Sequence, residues 1–103
     1  MLSNEVIDLI SISYANNDIG DSIETKTYTQ VFADELSIMQ SEFYQAAATG
    51  LKPEKKFEIS FHDYNNEPAF RHDSKEYTII RTFKKGVDRI ELTGEGITGT
   101  EVR

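Results

Sequence analysis

Two His-Asp pairs have the residue types and spacing for acid–base chemistry or metal binding: His62-Asp63 and His72-Asp73. Imidazole and carboxylate are the metal ligands that remain in a chain without cysteine. Successive side chains of a strand point to opposite faces, so a site would need His62 and His72 to meet across a hairpin. The simpler interpretation is that both histidines are exposed polar residues flanking the turn at 64–68.

Other sites of known chemistry are weak or missing in the sequence. The Asn/Gly/Asp loop at residues 16–21 superficially suggests calcium, but Gly20 comes one place too early for an EF-hand and no glutamate closes the loop. The chain has no glycine-rich phosphate loop, no G-x-S-x-G elbow and no helical pair of histidines. We therefore predict no catalytic centre, no cofactor and no metal.

The composition indicates one acidic domain. Eighteen Asp and Glu residues against eleven Lys and Arg give a formal charge of -7, which opposes adhesion to a nucleic-acid backbone. A chain of 103 residues can bury a core without disulfides. The sequence shows neither a signal-peptide pattern nor a membrane-span-length apolar segment, so we expect a soluble protein made in the cytoplasm.

Most of the predicted secondary structure around these residues is β-strand. Alternation of apolar and polar residues predicts six strands, at residues 5–14, 24–38, 56–62, 69–72, 76–84 and 89–93. Turn residues between them favour a small, mostly antiparallel barrel or sandwich, and we predict a six-stranded β-barrel over residues 1–93. A flexible C-terminal tail is expected at 94–103. Arg81 falls on the core side of its strand, so we place it at the barrel mouth or next to a bulge.

One short helix interrupts this pattern, in an insertion between the second and third strands at about residues 40–56. Phe43, Ala47 and Leu51 recur every four residues on one face, and Gly50 lies where a left-handed helix C-terminus is expected. A helix this short is only marginally stable by itself in water. It must therefore pack on another part of the protein or stay loose until a partner arrives.

The helix leaves two questions open. It can begin with a capping box formed by Ser37 and Gln40, or one turn later with a cap at Ser41. Its aromatic residues, Phe43 and Tyr44, can either cover an open end of the barrel or meet a neighbouring subunit.

The order of these elements carries a resemblance. A first strand ending near Tyr14 is followed by the polar loop, a long strand reaching residues 31–33, the helix sequence at 41–46, and then segments 63–64, 76–79 and 89–92. In this order and spacing nearly the whole chain resembles the phage head-tail joining family, the small head-completion proteins of long-tailed phages and prophages. Relatives commonly place a glycine in the turn at 73–75, which this chain lacks, so the type of that turn stays open.

The resemblance implies a virion structural protein and not an enzyme. Made in the bacterial host cytoplasm, it would form a homo-oligomeric ring on assembly, between the portal or adaptor and the tail terminator or tail tube. Whether the isolated subunit is a monomer or already an oligomer stays open. DNA would pass through without specific binding, and no membrane would be involved. Both stopper and adaptor roles stay open.

In stopper-type relatives the insertion can close the channel, so residues 41–56 are the candidate gate, with Gly50 as part of its hinge. The candidate channel and subunit-interface residues are Ser41, Glu42, Phe43, Tyr44, Gln45, Gly50, Lys52, Lys55 and Lys56.

Two functions of other classes compete with this one. A ligand-binding barrel would use Phe43 and Tyr44 as a lid over an internal cavity. A small metalloenzyme would use His62 and His72, and would lose its metal in a His62→Ala variant. The negative charge and the placement of the insertion favour the connector.

Overall fold

The protein folds as a closed β-barrel in a computed structural model that describes residues 5–97. Its elements along the chain are β1 (Glu5–Asn16), β2 (Ser22–Leu36), α1 (Gln40–Ala47), β3 (Lys55–Ser60), a one-turn 3-10 helix (Phe61–Asp63), β4 (Ala69–His72), β5 (Lys75–Lys85) and β6 (Arg89–Gly96). Around the barrel the order is β1-β2-β3-β6-β5-β4, and all neighbouring strands are antiparallel. The predicted fold class, with one helix between the second and third strands, is confirmed. Within residues 5–97, no helix has the length and apolar character to cross a membrane.

Side chains that alternate along the strands fill the barrel interior. Leu9, Phe57 and Phe70 are fully buried. Phe70 meets Phe57 edge-on with ring centroids 5.4 Å apart and stacks on Tyr77 at 5.2 Å. The other members of this core are Ile7, Val31, Ala33, Ile59, Ile90 and Leu92. The interior is therefore a packed core.

The third strand is shorter than predicted. β3 ends at Ser60, whose hydroxyl accepts the backbone N–H of His62 at 3.3 Å and starts the 3-10 helix. The apolar-polar alternation continues to residue 62, but this local side-chain bond diverts the backbone first. The outer face of β3 is also less solvated than expected, because Glu58 is only 8% exposed and pairs with Arg89.

β6 runs beyond the predicted end of the barrel, from Arg89 to Gly96. Gly94 pairs with Lys55 on β3 and with Ile79 on β5, so the chain is still in the sheet there. The glycines after Thr93 are typical of a flexible tail. Gly94, however, lies in the sheet, where the absence of a side chain leaves room for the Phe70 ring. The predicted boundary at residue 93 is therefore wrong, and residues 98–103 of the predicted tail lie outside the described part of the chain.

A methyl group at position 94 is expected to destabilise the barrel. An added Cβ would lie 2.6 Å from Phe70 Cζ and 2.8 Å from Tyr77 Cβ. We expect Gly94→Ala to lower the free energy of unfolding by about 1–3 kcal/mol in urea titrations, since the core must shift to accept it. Phe70→Leu should cost less in the Gly94→Ala background than in the wild type, and equal costs would contradict the steric explanation.

A bulge in β5 explains the position of Arg81. The β5–β6 register shifts between Ile79 and Arg81, so Ile80 has no opposite partner in this ladder. Arg81 is exposed and pairs with Glu42 instead of facing the core. The prediction that this arginine lies next to a bulge is confirmed.

The turn between β4 and β5 works without glycine. Asp73 and Ser74 form a two-residue loop closed by His72 and Lys75, with φ of 51° and 67°. Positive φ at both central positions is the signature of a type I′ turn, whose twist matches that of a hairpin.

A two-stranded arm extends from the barrel. β1 and β2 pair with each other along residues 5–16, but β1 pairs with β4 only at residues 8–10, and β2 with β3 only at residues 34–36. Among the described strands, residues 11–27 therefore pair only within their own hairpin, which we call the arm. Both strands reach closer to its polar turn than predicted, and Asn17 Oδ1 closes that turn by accepting two backbone N–H groups.

Candidate functional site: the helical insertion and its anchor

The helix of the insertion ends as predicted. Gly50 has φ of 82° and donates its N–H to Ala47 O at 3.0 Å, while the Leu51 N–H donates to Ala46 O at 3.0 Å. This pair of bonds is a Schellman motif with glycine in the left-handed position. Leu51 and the buried Pro53 then lead the chain back to β3.

The helix begins differently from both predicted starts. Met39 is its N-cap, and the Glu42 carboxylate accepts the Met39 N–H at 3.1 Å. Ser37 lies before this cap, and Ser41 already lies inside the first turn, where its hydroxyl cannot occupy the N-cap position. Glu42 thus replaces the expected serine at the start of the helix.

Helix α1 buries none of its residues. Phe43 and Tyr44 are 42% and 63% exposed, and Ser41 and Gln45 are exposed as well. Gln40 donates a hydrogen bond to the Tyr44 hydroxyl at 3.1 Å, which steadies the ring without burying it. Aromatic rings that closed the barrel would be more deeply covered. Their exposure weighs against the cover and leaves the other interpretation, in which they meet a neighbouring subunit, as a prediction.

Glu42 attaches the helix to the barrel. Its carboxylate accepts bonds from Lys56 Nζ on β3 at 2.8 Å and from Arg81 on β5 at 3.1 Å. Lys56 also lies 3.3 Å from Glu91 on β6, and its side chain is only 9% exposed. We call Glu42, Lys56, Arg81 and Glu91 the anchor cluster, because they tie the insertion to three strands.

Ion pairing changes the acidity of the anchor cluster. The hydrogen bond from Lys56 lowers the pKa of Glu42, although partial burial acts in the opposite direction. Burial lowers the pKa of Lys56, but the bond to Glu42 and the charge of Glu91 outweigh it and leave that pKa above its ordinary value. Both groups are therefore ionised at neutral pH.

Acid is expected to loosen the helix. Because the pKa of Glu42 is lower in the folded protein than in the unfolded chain, its ionised form stabilises the fold above the ordinary glutamate value of 4.5, and this contribution is lost as the pH falls below it. We expect hydrogen-exchange protection of α1 amides to fall in that acid range more than protection of β6. An equally steep fall in a Glu42→Gln variant would contradict this assignment.

A second ion cluster joins β2, β3 and β6. Arg89 donates to Glu58 at 2.7 Å and to Asp34 at 3.1 Å, and these carboxylate side chains are 10% and 9% exposed. Lys85 adds a contact to Glu58 at 3.2 Å from an exposed position. The bond from Arg89 lowers the pKa of Glu58 despite its burial. This cluster was not predicted, because its only signal in the sequence is charge at strand positions flanked by core residues.

A groove runs between the insertion and the barrel wall. Its lining residues are Glu42, Gln45, Ala46, Leu51, Pro53, Ile80, Arg81 and Thr93. Phe43 and Tyr44 are not among them, so the predicted aromatic lid does not cover this groove. With the barrel interior occupied by core side chains, this arrangement weighs against a ligand-binding barrel.

The three lysines near the end of the insertion do not form one basic surface. Lys52 is exposed, Lys55 pairs with Glu35 at 2.7 Å, and Lys56 is buried in the anchor cluster. Lys55 and Lys56 are the first residues of β3 and point to opposite faces of the sheet. The insertion therefore ends at residue 54, earlier than the predicted residue 56.

The two histidines do not come together. His72 is buried, with its ring centroid 4.9 Å from that of Phe57 and its Nε2 3.2 Å from Glu5. His72 lies near Glu35, which pairs with Lys55 at the start of β3. His62 is exposed on the 3-10 helix at the other end of β3, and that strand is about 17 Å long at 3.3 Å per residue. The expected exposure is confirmed for His62 and wrong for His72.

His72 has two carboxylates beside it instead. One ligand atom from each of Glu5, Glu35 and His72 lies within 4.8 Å of the others, a spacing that a metal ion could use. The Lys55 ammonium lies 2.7 Å from Glu35, and Glu5 Oε1 lies 3.2 Å from His72 Nε2. These contacts account for the group without a metal.

The geometry thus singles out an exposed helix held by an anchor cluster. Glu42 attaches it to Lys56 on β3 and Arg81 on β5, Lys56 in turn contacts Glu91 on β6, and its aromatic side chains are exposed. No protein-family model matches the sequence, and no curated protein is significantly similar to it.

Proposed function

We propose that the protein is a ring-forming component of a phage head-tail connector, in which the insertion gates the DNA channel. The order of elements on which the family resemblance depends is present in the fold: a long second strand, a helical insertion and four further strands. The proposal draws its support from this order, from the attachment of the helix and from the charge of the chain.

The observation that carries the proposal is the attachment of α1. The helix buries no residue and is tied to the barrel mainly through Glu42, so it has little apolar surface to expose when it moves. Gly50 ends it in a backbone conformation that other residues rarely adopt, at a point where a hinge can absorb a change of direction. An element of this kind can take two positions at low cost, as a gate must.

The charge of the chain suits a DNA channel. A subunit of formal charge -7, repeated around a ring, would repel phosphates and let DNA pass without adhering. The lysines near the insertion do not oppose this, because Lys55 and Lys56 are neutralised by carboxylates and only Lys52 is exposed.

The first test is binding to the portal complex and to the tail terminator from the same gene neighbourhood. The wild type is compared with a chain in which residues 40–53 are replaced by a short Gly/Ser linker, which leaves Lys55 and Lys56 in β3. We expect both proteins to bind these assemblies, and DNA to leak from completed heads only with the shortened chain.

Two results would count against the proposal in different ways. Failure of the wild type to bind either assembly would remove the connector role. Binding with normal DNA retention by the shortened chain would keep the connector role and remove the gate.

A further inference from the structure

The arm has two strand edges without a neighbour. Along residues 11–16 of β1 the edge away from β2 is unpaired, and along residues 22–33 of β2 the edge away from β1 is unpaired, among the strands of residues 5–97. Every second residue on such an edge points its N–H and C=O outward. These edges can therefore accept another strand.

None of the usual protections blunts these edges. Natural sheets guard an exposed edge with proline, with several lysines, with a bulge or by keeping it short. Residues 22–33 contain no proline and a single lysine, Lys26, and the β1–β2 register continues without a shift. Threonine, tyrosine, valine and isoleucine give this strand a high preference for pairing.

The arm also buries little surface of its own. Residues 13–16 and 21–30 are all exposed, including Tyr14 at 68% and Ile23 at 47%. Lys26 contacts Glu76 on β5 at 3.3 Å, but residues 13–16 and 21–25, farther out along the arm, are all exposed. A two-stranded hairpin in water is marginally stable, so a further strand along either edge would stabilise this part of the arm.

We propose that the arms of neighbouring copies pair with each other, β1 of one copy against β2 of the next, to form a continuous antiparallel sheet around the ring. This inference deepens the proposed function, because it assigns the contact between the subunits of that ring. The partner is a second copy of this chain.

The register of the arm favours this head-to-tail pairing. Within one arm, Asn16 lies opposite Ser22 and Ser11 opposite Thr27, so the free edge of β1 and the outer half of the β2 edge are at the same height. Rotation about a ring axis that runs along the arm does not move a copy along that axis. The free β1 edge of one copy can therefore meet the outer half of the β2 edge of the next. A two-fold contact of β2 with β2 would leave the β1 edge uncovered.

Charge also favours the arm as the place where copies approach. The whole chain carries -7, which makes copies repel each other. Residues 11–16 carry no charge, and Glu24 and Lys26 cancel within residues 22–27. The paired strands therefore avoid like charges directly opposite each other.

Disulfide trapping tests the pairing in a chain that has no cysteine of its own. Ser13→Cys and Thr25→Cys proteins are purified separately, mixed over a concentration series and oxidised. Ser13 and Thr25 are opposite partners within one arm, so the same positions should meet between arms, and Thr27→Cys covers a two-residue stagger. Ser37→Cys, exposed and outside the strands, is the control for random collision.

We expect a Ser13-with-Thr25 or Ser13-with-Thr27 mixture to cross-link about tenfold more than the Ser37 control, because pairing raises the effective concentration of the thiols. Predominant Thr25-to-Thr25 or Thr27-to-Thr27 products would indicate a two-fold contact and overturn the proposal. Yields equal to the control at all concentrations would also overturn it.

A second variant keeps the two proposals separable. Thr25→Lys with Thr27→Lys adds charge beside Lys26 at exposed positions, so the barrel should fold normally while self-association weakens about tenfold in sedimentation experiments. Unchanged self-association would contradict arm pairing. Cross-linking without binding to portal or tail assemblies would retain the arm contact and remove the connector role. Binding to those assemblies without cross-linking would retain the connector role and remove the arm contact.

Discussion

Replacing Arg89 with methionine is expected to lower the free energy of unfolding by about 3 kcal/mol at neutral pH, since it leaves two nearly buried carboxylates without their shared partner. Asp34 and Glu58 are 9% and 10% exposed, and Arg89 is the cation that bridges them. The measurement is chemical unfolding followed by circular dichroism. The loss should shrink in acid, because the bond from Arg89 lowers the pKa of Glu58 in the folded protein and this contribution disappears as Glu58 takes up a proton.

Lys85→Met is the matched control for this prediction. Lys85 contacts the same Glu58 carboxylate at 3.2 Å, but its side chain is 54% exposed. An exposed partner contributes little, so we expect a much smaller loss than in Arg89→Met. Equal losses in the two variants would show that burial of the bridge does not decide its contribution.

Replacing Glu42 with glutamine is expected to free the helix while leaving the barrel folded. The change keeps the shape of the side chain and removes the charge that Lys56 and Arg81 contact at 2.8 and 3.1 Å. Losing these charge-assisted bonds should cost about 2 kcal/mol, which corresponds to a roughly 30-fold increase in the equilibrium constant for opening of α1. Hydrogen exchange of the α1 amides measures this increase. The midpoint of barrel unfolding should change much less, because the core does not contact this residue.

Asp63→Asn is the control, because Asp63 is exposed on the 3-10 helix and takes part in no ion pair found among residues 5–97. It should leave the exchange of α1 unchanged. In assembled heads we expect Glu42→Gln, and not Asp63→Asn, to change DNA retention. A helix that stays as protected as in the wild type after Glu42→Gln would show that the anchor cluster does not hold it.

The elements of the fold could be predicted because their signals are local. Phe57 and Ile59 alternate with polar residues, Gly50 follows a helical stripe, and Arg81 breaks the phase of its strand where the bulge lies. Each of these features depends on backbone geometry within a few residues. The predicted end of β3 was wrong because the Ser60 hydroxyl accepts a backbone N–H of the next turn. The predicted end of β6 was wrong because Gly94 packs against the Phe70 ring and stays in the sheet.

Hydrophobic periodicity and turn chemistry act over short distances, so a mainly β domain with one helical insertion can be predicted from the order of residues alone. The contacts that hold the insertion, in contrast, form only when the barrel closes. Glu42 meets Lys56 and Arg81 across 14 and 39 positions of the chain. No local pattern marks such partners, because the closure of the barrel, and not the spacing of residues along a strand, brings their charges together.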